Sequence, residues 1–266
     1  MEQVNHLLPM AEIKKLSTDN ALAWFDPHFY PNFEMAYFQS EFWQQQGLVT
    51  GQSKGRNTVW FIRHQNGKEA VLRHYYRGGL VGKLNKDKFW PEPAAQSRAM
   101  AEFSLLWQMR LWGLPVPRPC AALYQKHGFS YSADILIERI AGTTDLAHLL
   151  QQRPLSHAEW QQLGAVVASF HQHQVYHSDL NCHNILLDQQ GQFWLIDFDK
   201  CAIRTAADFP DQSWKPQNLQ RLLRSLNKEK QQLPVFHWQH DQFAALELGY
   251  QQAGQIHINQ TIQSTN

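Results

Sequence analysis

His177-Ser-Asp179-Leu-Asn-Cys-His-Asn184-Ile-Leu-Leu187, followed after a polar turn by Phe193-Trp-Leu-Ile-Asp197-Phe-Asp199-Lys200, is the stretch around which the chain is organised. Asp179 precedes Asn184 by five residues and Asp197 by 18. The apolar runs 185–187 and 193–196 are short, and Asp188-Gln-Gln-Gly-Gln192 supplies turn chemistry between them, so the pattern predicts a hairpin. Such a hairpin holds Asn184 at one mouth and Asp197 at the other. An amide oxygen and a carboxylate placed there are hard oxygen donors, which suit magnesium.

The pieces His177-x-Asp179-Leu180-x-x-x-Asn184 and Asp197-Phe198-Asp199 resemble the catalytic loop and the metal-binding D-F-G of protein kinases. The resemblance implies an α+β, protein-kinase-like bilobal fold with a small β-rich N-terminal lobe and a larger helical C-terminal lobe. Phosphoryl transfer is mainly positioning and charge neutralisation. On this reading Asp179 accepts the proton of the acceptor hydroxyl, while Asn184 and Asp197 hold Mg2+ beside ATP. Each of these residues alone is ordinary turn or cap chemistry; their joint spacing around a hairpin is not. Asp199 stands where the kinase pattern has glycine, and either adds to the metal site or ends the strand in solvent.

At 266 residues the chain is long for one compact core, and two lobes around a cleft are the natural arrangement. The expected division is 1–140 and 141–266 within one kinase-like domain, with a hinge in Ile137-Glu-Arg-Ile-Ala-Gly142. An apolar content of 43% marks a globular protein. A net charge of +1 gives no global pull towards nucleic acid. Three cysteines without C-x-x-C spacing suit reduced thiols rather than a disulfide framework or zinc ribbon. Met1-Glu-Gln-Val-Asn lacks the pattern of a signal peptide, and no stretch approaches the ~20 apolar residues of a spanning helix. Ten tryptophans leave room for contact with a membrane surface.

In the N-terminal half, Asp26-Pro-His-Phe-Tyr-Pro31 is a turn, and the aromatics of 33–46 fall at helical spacing and read as packing. The run 47–62 is a glycine-bearing loop entering a β-rich segment. Gly51 and Gly55 are its candidates for close approach to a nucleotide, although the spacing departs from G-x-G-x-x-G and a plain hairpin turn also fits. Glu69-Ala-Val-Leu-Arg73 resembles the V-A-I-K strand of kinases with arginine in place of lysine, an exchange that is not neutral. Lys83 is the alternative phosphate-binding cation, and Glu102 the candidate carboxylate to pair with it, with an intrahelical pair to Arg98 as the competing role. The segment 74–90 mixes basic, aromatic and glycine residues, which suits an anionic, partly apolar ligand or a solvated loop. Arg77, Lys83 and Lys86 are its candidate substrate-binding residues.

A helix is expected over 94–113, strands over 120–124 and 135–140, and a short helix over 144–152. Ser156-His-Ala-Glu159 forms a capping box opening a further helix. His171, His173, His177, His183 and Cys182 lie close in sequence and could form a transition-metal site, but their spacing matches no zinc pattern and the nearby carboxylate and amide chemistry favours a harder ion. The helix over 219–228 buries Leu219, Leu222, Leu223 and Leu226 and carries Arg221, Arg224 and Lys228 on a basic edge. A last helix is expected over 236–254.

Taken together, 72–86, 177–184 and 195–200 resemble the 3-deoxy-D-manno-octulosonic acid (Kdo) kinases, members of the bacterial lipopolysaccharide sugar kinases with a protein-kinase-like fold. The Arg77-Gly-Gly-Leu80 segment separates them from aminoglycoside and choline phosphotransferases, which share only the Asp/Asn/Asp core. The resemblance implies ATP-dependent phosphorylation of the 4-hydroxyl of Kdo on Kdo-lipid IVA by a peripheral protein at the cytoplasmic face of the inner membrane. No nucleic acid and no obligate protein partner is expected. A small-molecule phosphotransferase and a non-catalytic kinase-fold binding protein are the competing readings.

Overall fold

The structure, a computed structural model, describes residues 12–54, 58–64, 66–76 and 89–264. It is an α+β protein of the protein-kinase-like class, and it divides into two compact units, residues 1–113 with 117–141 and residues 114–116 with 142–266. The first unit, expected to be the smaller, is slightly longer than the second.

Those strands, β1 (Lys14–Ser17) and β2 (Ala21–Phe25), are followed by α1 (Ser40–Gln45), β3 (Val49–Lys54), β4 (Thr58–Arg63) and β5 (Glu69–His74). Helix α2 (Arg98–Leu111) and the hairpin β6 (Pro119–His127) and β7 (Ser130–Glu138) complete the unit. The strands form one antiparallel sheet in the order β1-β2-β6-β7-β5-β4-β3. Pairing of β5 with both β4 and β7 makes it a central strand, so its alternate residues face opposite sides. Ala70 and Leu72 enter a core with Phe25, Phe29, Tyr30, Tyr37, Phe38 and Trp43. The aromatics of 33–46 therefore do pack, but through a short 3₁₀ turn at Met35–Phe38 and the six-residue α1 rather than one helix. Arg73 points to the other face. The helix expected over 94–113 begins at Arg98, because Ser97 is extended (φ −60°, ψ 152°) behind a 3₁₀ turn. Strands β6 and β7 run longer than expected and close through Gly128, whose φ of +57° suits glycine.

The second unit contains β8 (Thr144–Asp145), α3 (Leu146–Gln152), α4 (His157–Gln172), β9 (Val175–Tyr176), β10 (Ile185–Leu187), β11 (Phe193–Leu195), β12 (Ala202–Ile203), α5 (Trp214–Gln232) and α6 (Gln242–Ser264). The capping box forms at α4: Ser156 Oγ accepts from Glu159 N–H at 3.2 Å and Glu159 accepts from Ser156 N–H at 2.7 Å. Helix α6 starts later than expected. Phe236 and Trp238 are buried ahead of it on an extended segment, with Trp238 against Trp160 at 5.0 Å between ring centroids. Among the described residues no helix is long and apolar enough to cross a membrane.

Helices α4 and α6 touch backbone to backbone. A Cβ at Gly164 would stand 1.9 Å from the Leu246 carbonyl oxygen, and one at Gly249 2.0 Å from that of Gln161. Neither backbone can yield without parting the helices. Gly164→Ala and Gly249→Ala are each expected to lower the unfolding free energy by about 3 kcal/mol or more, read as a reduced denaturant midpoint, whereas Gly254→Ala, which meets nothing within 4 Å, leaves it unchanged or raised.

His171 is buried between Tyr250 and Asn218, and burial lowers its pKa from 6.5 to about 4. Between those values the unfolded chain binds the extra proton, so stability falls as pH drops from 6.5 to 4 and this contribution is flat below. Unfolding measured across that window should show a loss of up to ~3 kcal/mol that His171→Gln lacks.

Candidate active site

The polar stretch 177–184 is fixed from three sides within the second unit. His177 is 3% exposed, and its imidazole bridges two backbones: Nε2 lies 3.0 Å from Ile196 O, and Nδ1 lies 3.2 Å from Asp179 N. Since the Asp179 N–H can only donate, Nδ1 is the acceptor and Nε2 carries the proton. Burial holds the His177 pKa below its ordinary value, which keeps this neutral tautomer. The backbone of His177 is also held by Asn218 of α5, which donates through Nδ2 to His177 O at 2.8 Å and accepts from His177 N–H at 3.2 Å.

Asn181 turns the loop, its Oδ1 accepting from His183 N–H and Asn184 N–H. The Asn184 side chain donates through Nδ2 to Asp179 O at 3.0 Å. That bond commits the amide nitrogen and leaves Oδ1 as the group for a cation. Strands β10 and β11 form the expected hairpin, pairing Ile185 with Leu195. Asp188 caps its turn, accepting from Gln190 and Gln192 N–H and from the Trp194 indole. Ile196 N–H donates to Asn184 O at 3.0 Å, so Asn184 and Asp197 emerge at the same end of the hairpin. Asp197 adopts φ +64°, a left-handed conformation that aspartate tolerates better than most residues. This reverses the chain and sends Phe198 inwards, where its ring lies 4.8 Å from His177 and 5.9 Å from Phe170. The backbone carbonyl of Asp199 accepts from Ser178 Oγ at 2.7 Å.

Asp179 has a partner that sequence reasoning left on a solvated helix edge. Arg221 of α5 donates through Nε to Asp179 Oδ1 at 2.9 Å, and through Nη2 to the same oxygen. Burial alone would raise the Asp179 pKa, but Arg221 and the Asn181 amide outweigh it and hold the carboxyl below its ordinary value. Ser225, one turn further along α5, accepts from Cys182 N–H at 3.1 Å. Asn218, Arg221 and Ser225 thus lie at i, i+3 and i+7 on one helical face and contact residues 177, 179 and 182 in step. The signal in the sequence was an asparagine and a serine interleaved with the buried leucines Leu219, Leu222 and Leu226.

The histidines raised as transition-metal candidates hold other posts. His183 bridges Asp145 at 3.7 Å and Glu229 at 3.2 Å, which raises its pKa, the Asp145 hydrogen bond contributing most. Cys182 faces Ser225. Among the described residues no three His, Cys, Asp or Glu side chains cluster as a metal site. Magnesium commonly takes one or two protein oxygens together with nucleotide phosphates and water, and an Asn184 amide with an Asp197 carboxylate fits that donor set.

In the first unit the structure joins Arg73 to Glu102. The Arg73 guanidinium and the Tyr75 hydroxyl both donate to Glu102 Oε2, on a side chain 2% exposed. Arg98 instead donates to the Tyr76 carbonyl at 2.9 Å. Gly51 sits at a register shift of β3, where a Cβ would approach the Phe61 ring to 3.3 Å. Gly55, Arg77, Lys83 and Lys86 lie outside the described residues.

Residues 40–250 match the lipopolysaccharide kinase (Kdo/WaaP) family. The chain belongs to that family. It is accordingly a phosphotransferase. Curated relatives named 3-deoxy-D-manno-octulosonic acid kinase include one from Vibrio vulnificus (strain CMCP6), 44% identical over 85% of this chain and 93% of its own length. Another, from Mannheimia succiniciproducens, is 45% identical over 83% and 92%. One from Haemophilus influenzae (strain PittEE) is 48% identical over 76% and 86%.

Removing one partner of a buried ion pair strands the other charge, so Glu102→Ala should lower the unfolding free energy by about 3 kcal/mol or more. Tyr75→Phe removes one hydroxyl from the same carboxylate and should cost roughly 1–3 kcal/mol. Denaturant titration of both variants checks the order.

Proposed function

We propose that this kinase transfers the γ-phosphoryl group of ATP to the 4-hydroxyl of the Kdo residue of Kdo-lipid IVA, in lipopolysaccharide inner-core biosynthesis. What carries this reading is the identity of 44–48% to named Kdo kinases over most of both chains. The loop geometry supports it, since a carboxylate, an amide and a second carboxylate are held on one backbone framework.

In this reading Asp179 is the catalytic group. The acceptor hydroxyl oxygen attacks the γ-phosphorus as the bond to the ADP oxygen breaks, and the hydroxyl proton passes to the Asp179 carboxylate. Keeping that carboxyl ionised is what the hydrogen bonds from Arg221 and Asn181 favour. Asn184 and Asp197 would hold Mg2+, which neutralises charge on the phosphate oxygens when bound. Arg73, fixed by Glu102, presents a cation for ATP phosphate. Gly51 and Gly55 are proposed to let the loop cover the nucleotide phosphates, and Arg77, Lys83 and Lys86 to meet the anionic glycolipid. The same reading has a peripheral enzyme working on an acylated acceptor at the cytoplasmic face of the inner membrane, its two lobes, 1–140 and 141–266, forming one kinase-like domain.

The test is phosphate transfer from labelled ATP to Kdo-lipid IVA, with magnesium-dependent ATP binding measured in parallel. Asp179→Ala should lose at least ~100-fold in transfer while still binding nucleotide; Asp197→Ala should lose magnesium-dependent binding itself. Full activity in Asp179→Ala would remove that residue from its role, and no transfer by the wild type would remove this acceptor.

A further inference from the structure

The exposed side of α5 carries a row of cations that extends beyond the one residue, Arg221, bonded to Asp179. Arg221, Arg224 and Lys228 are spaced i, i+3 and i+7, which places them in one stripe roughly 10 Å long. Arg221 spends two of its five N–H donors, both on one oxygen of Asp179. Arg224 and Lys228 are exposed and have no carboxylate partner among the described residues. The nearest acid on the helix, Glu229, is turned to His183. An ordinary solvated helix face would intersperse both signs; this one begins at the catalytic carboxylate and carries one sign only.

The stripe is also held in place. Asn218 and Ser225 lock α5 to the backbone of 177–182 at both ends of the Arg221 turn, and Leu222 and Leu226 are fully buried beneath it. The helix backbone that carries these charges therefore keeps a fixed register to Asp179, which limits the ordering cost of binding an anion there.

We infer that Arg221, Arg224 and Lys228 form an acceptor-binding track on α5, additional to the segment 77–86, with Arg221 receiving a carboxylate on the same sugar whose hydroxyl is presented to Asp179. The inference rests on the proposed reading of the acceptor as a sugar acid. A guanidinium bonded to the base is within one side chain's reach of the reacting sugar, and its planar fork matches a carboxylate in two parallel hydrogen bonds. Arg224 and Lys228 continue the track for further anionic groups of the acceptor. A sugar lacking the carboxylate would leave Arg221 paired only with Asp179, so the track selects for acid sugars as well as binding them.

The experiment compares Kdo-lipid IVA with the same glycolipid carrying its Kdo carboxylate as the methyl ester, using wild type, Arg221→Ala, Arg221→Lys and Arg224→Ala/Lys228→Ala. Wild type should favour the free acid by ~10-fold or more in kcat/KM. Arg221→Ala should lose that preference, and Arg221→Lys should retain only part of it. The double variant should raise the acceptor KM severalfold, weaken its dependence on salt, and keep both kcat and the KM for ATP. If Arg221→Ala does not fold, judged by its thermal transition, the lysine and double variants decide the matter. Wild-type transfer with an undiminished acid preference in the Arg221 variants and an unchanged KM in the double variant overturns the track alone. No wild-type transfer to either glycolipid overturns the acceptor assignment, and the track falls with it.

Discussion

A single buried imidazole sets the geometry of the loop 177–184. His177 has a lowered pKa because burial disfavours its charged form, and only the neutral ring can accept from Asp179 N–H while donating to Ile196 O. Those two bonds tie the start of the loop to the far end of the hairpin, so Asp179 and Asp197, 18 residues apart, share one framework. Protonation would turn Nδ1 into a donor facing a donor. The Phe198 ring, tilted against the same imidazole at 4.8 Å between centroids, couples the reversal at Asp197 to the imidazole's position.

Helix α5 adds a second constraint from outside the motif. Asn218 satisfies both the N–H and the carbonyl of His177, pairing that a helix or sheet would otherwise provide. The loop can then remain irregular, because its backbone polar groups are met by a helix that is itself anchored in the core. Function and stability are coupled at this helix: the face that buries leucines also carries the residues that register the loop.

What the sequence made legible was whatever chemistry acts locally. The turn Asp188-Gln-Gln-Gly-Gln192, the Ser156/Glu159 box and the spacing of Asp179, Asn184 and Asp197 each depend on residues a few positions apart, and each has its local counterpart in the structure. The contact of Arg221 with Asp179 spans 42 residues, and nothing in the periodicity of α5 distinguishes it from a solvated edge. Strand β1 was illegible for another reason: all four of its residues are exposed, so it carries no apolar alternation, and pairing with β2 alone makes it a strand. The late start of α6 reflects competition for aromatics, since Phe236 and Trp238 match a helical pattern yet bury themselves against α3 and α4 from an extended chain.

The arginine at position 73 follows from the company it keeps. Its guanidinium meets Glu102 and the Tyr75 hydroxyl, and its carbon centre lies 5.0 Å from the centre of the Tyr75 ring. A lysine ammonium could pair with the carboxylate, but as a compact point charge it could not spread a planar face over the aromatic ring while bonding at its edge. Tyr75 in turn donates to Glu102, and burial followed by the neighbouring carboxylate raises its pKa and keeps it protonated for that purpose. The exchange of lysine for arginine is therefore part of a three-residue arrangement in which the tyrosine two positions along the chain supplies both a ring and a hydroxyl. A buried carboxylate with two donors on one oxygen is held more rigidly than one with a single flexible ammonium, which gives the Arg73 guanidinium a defined direction.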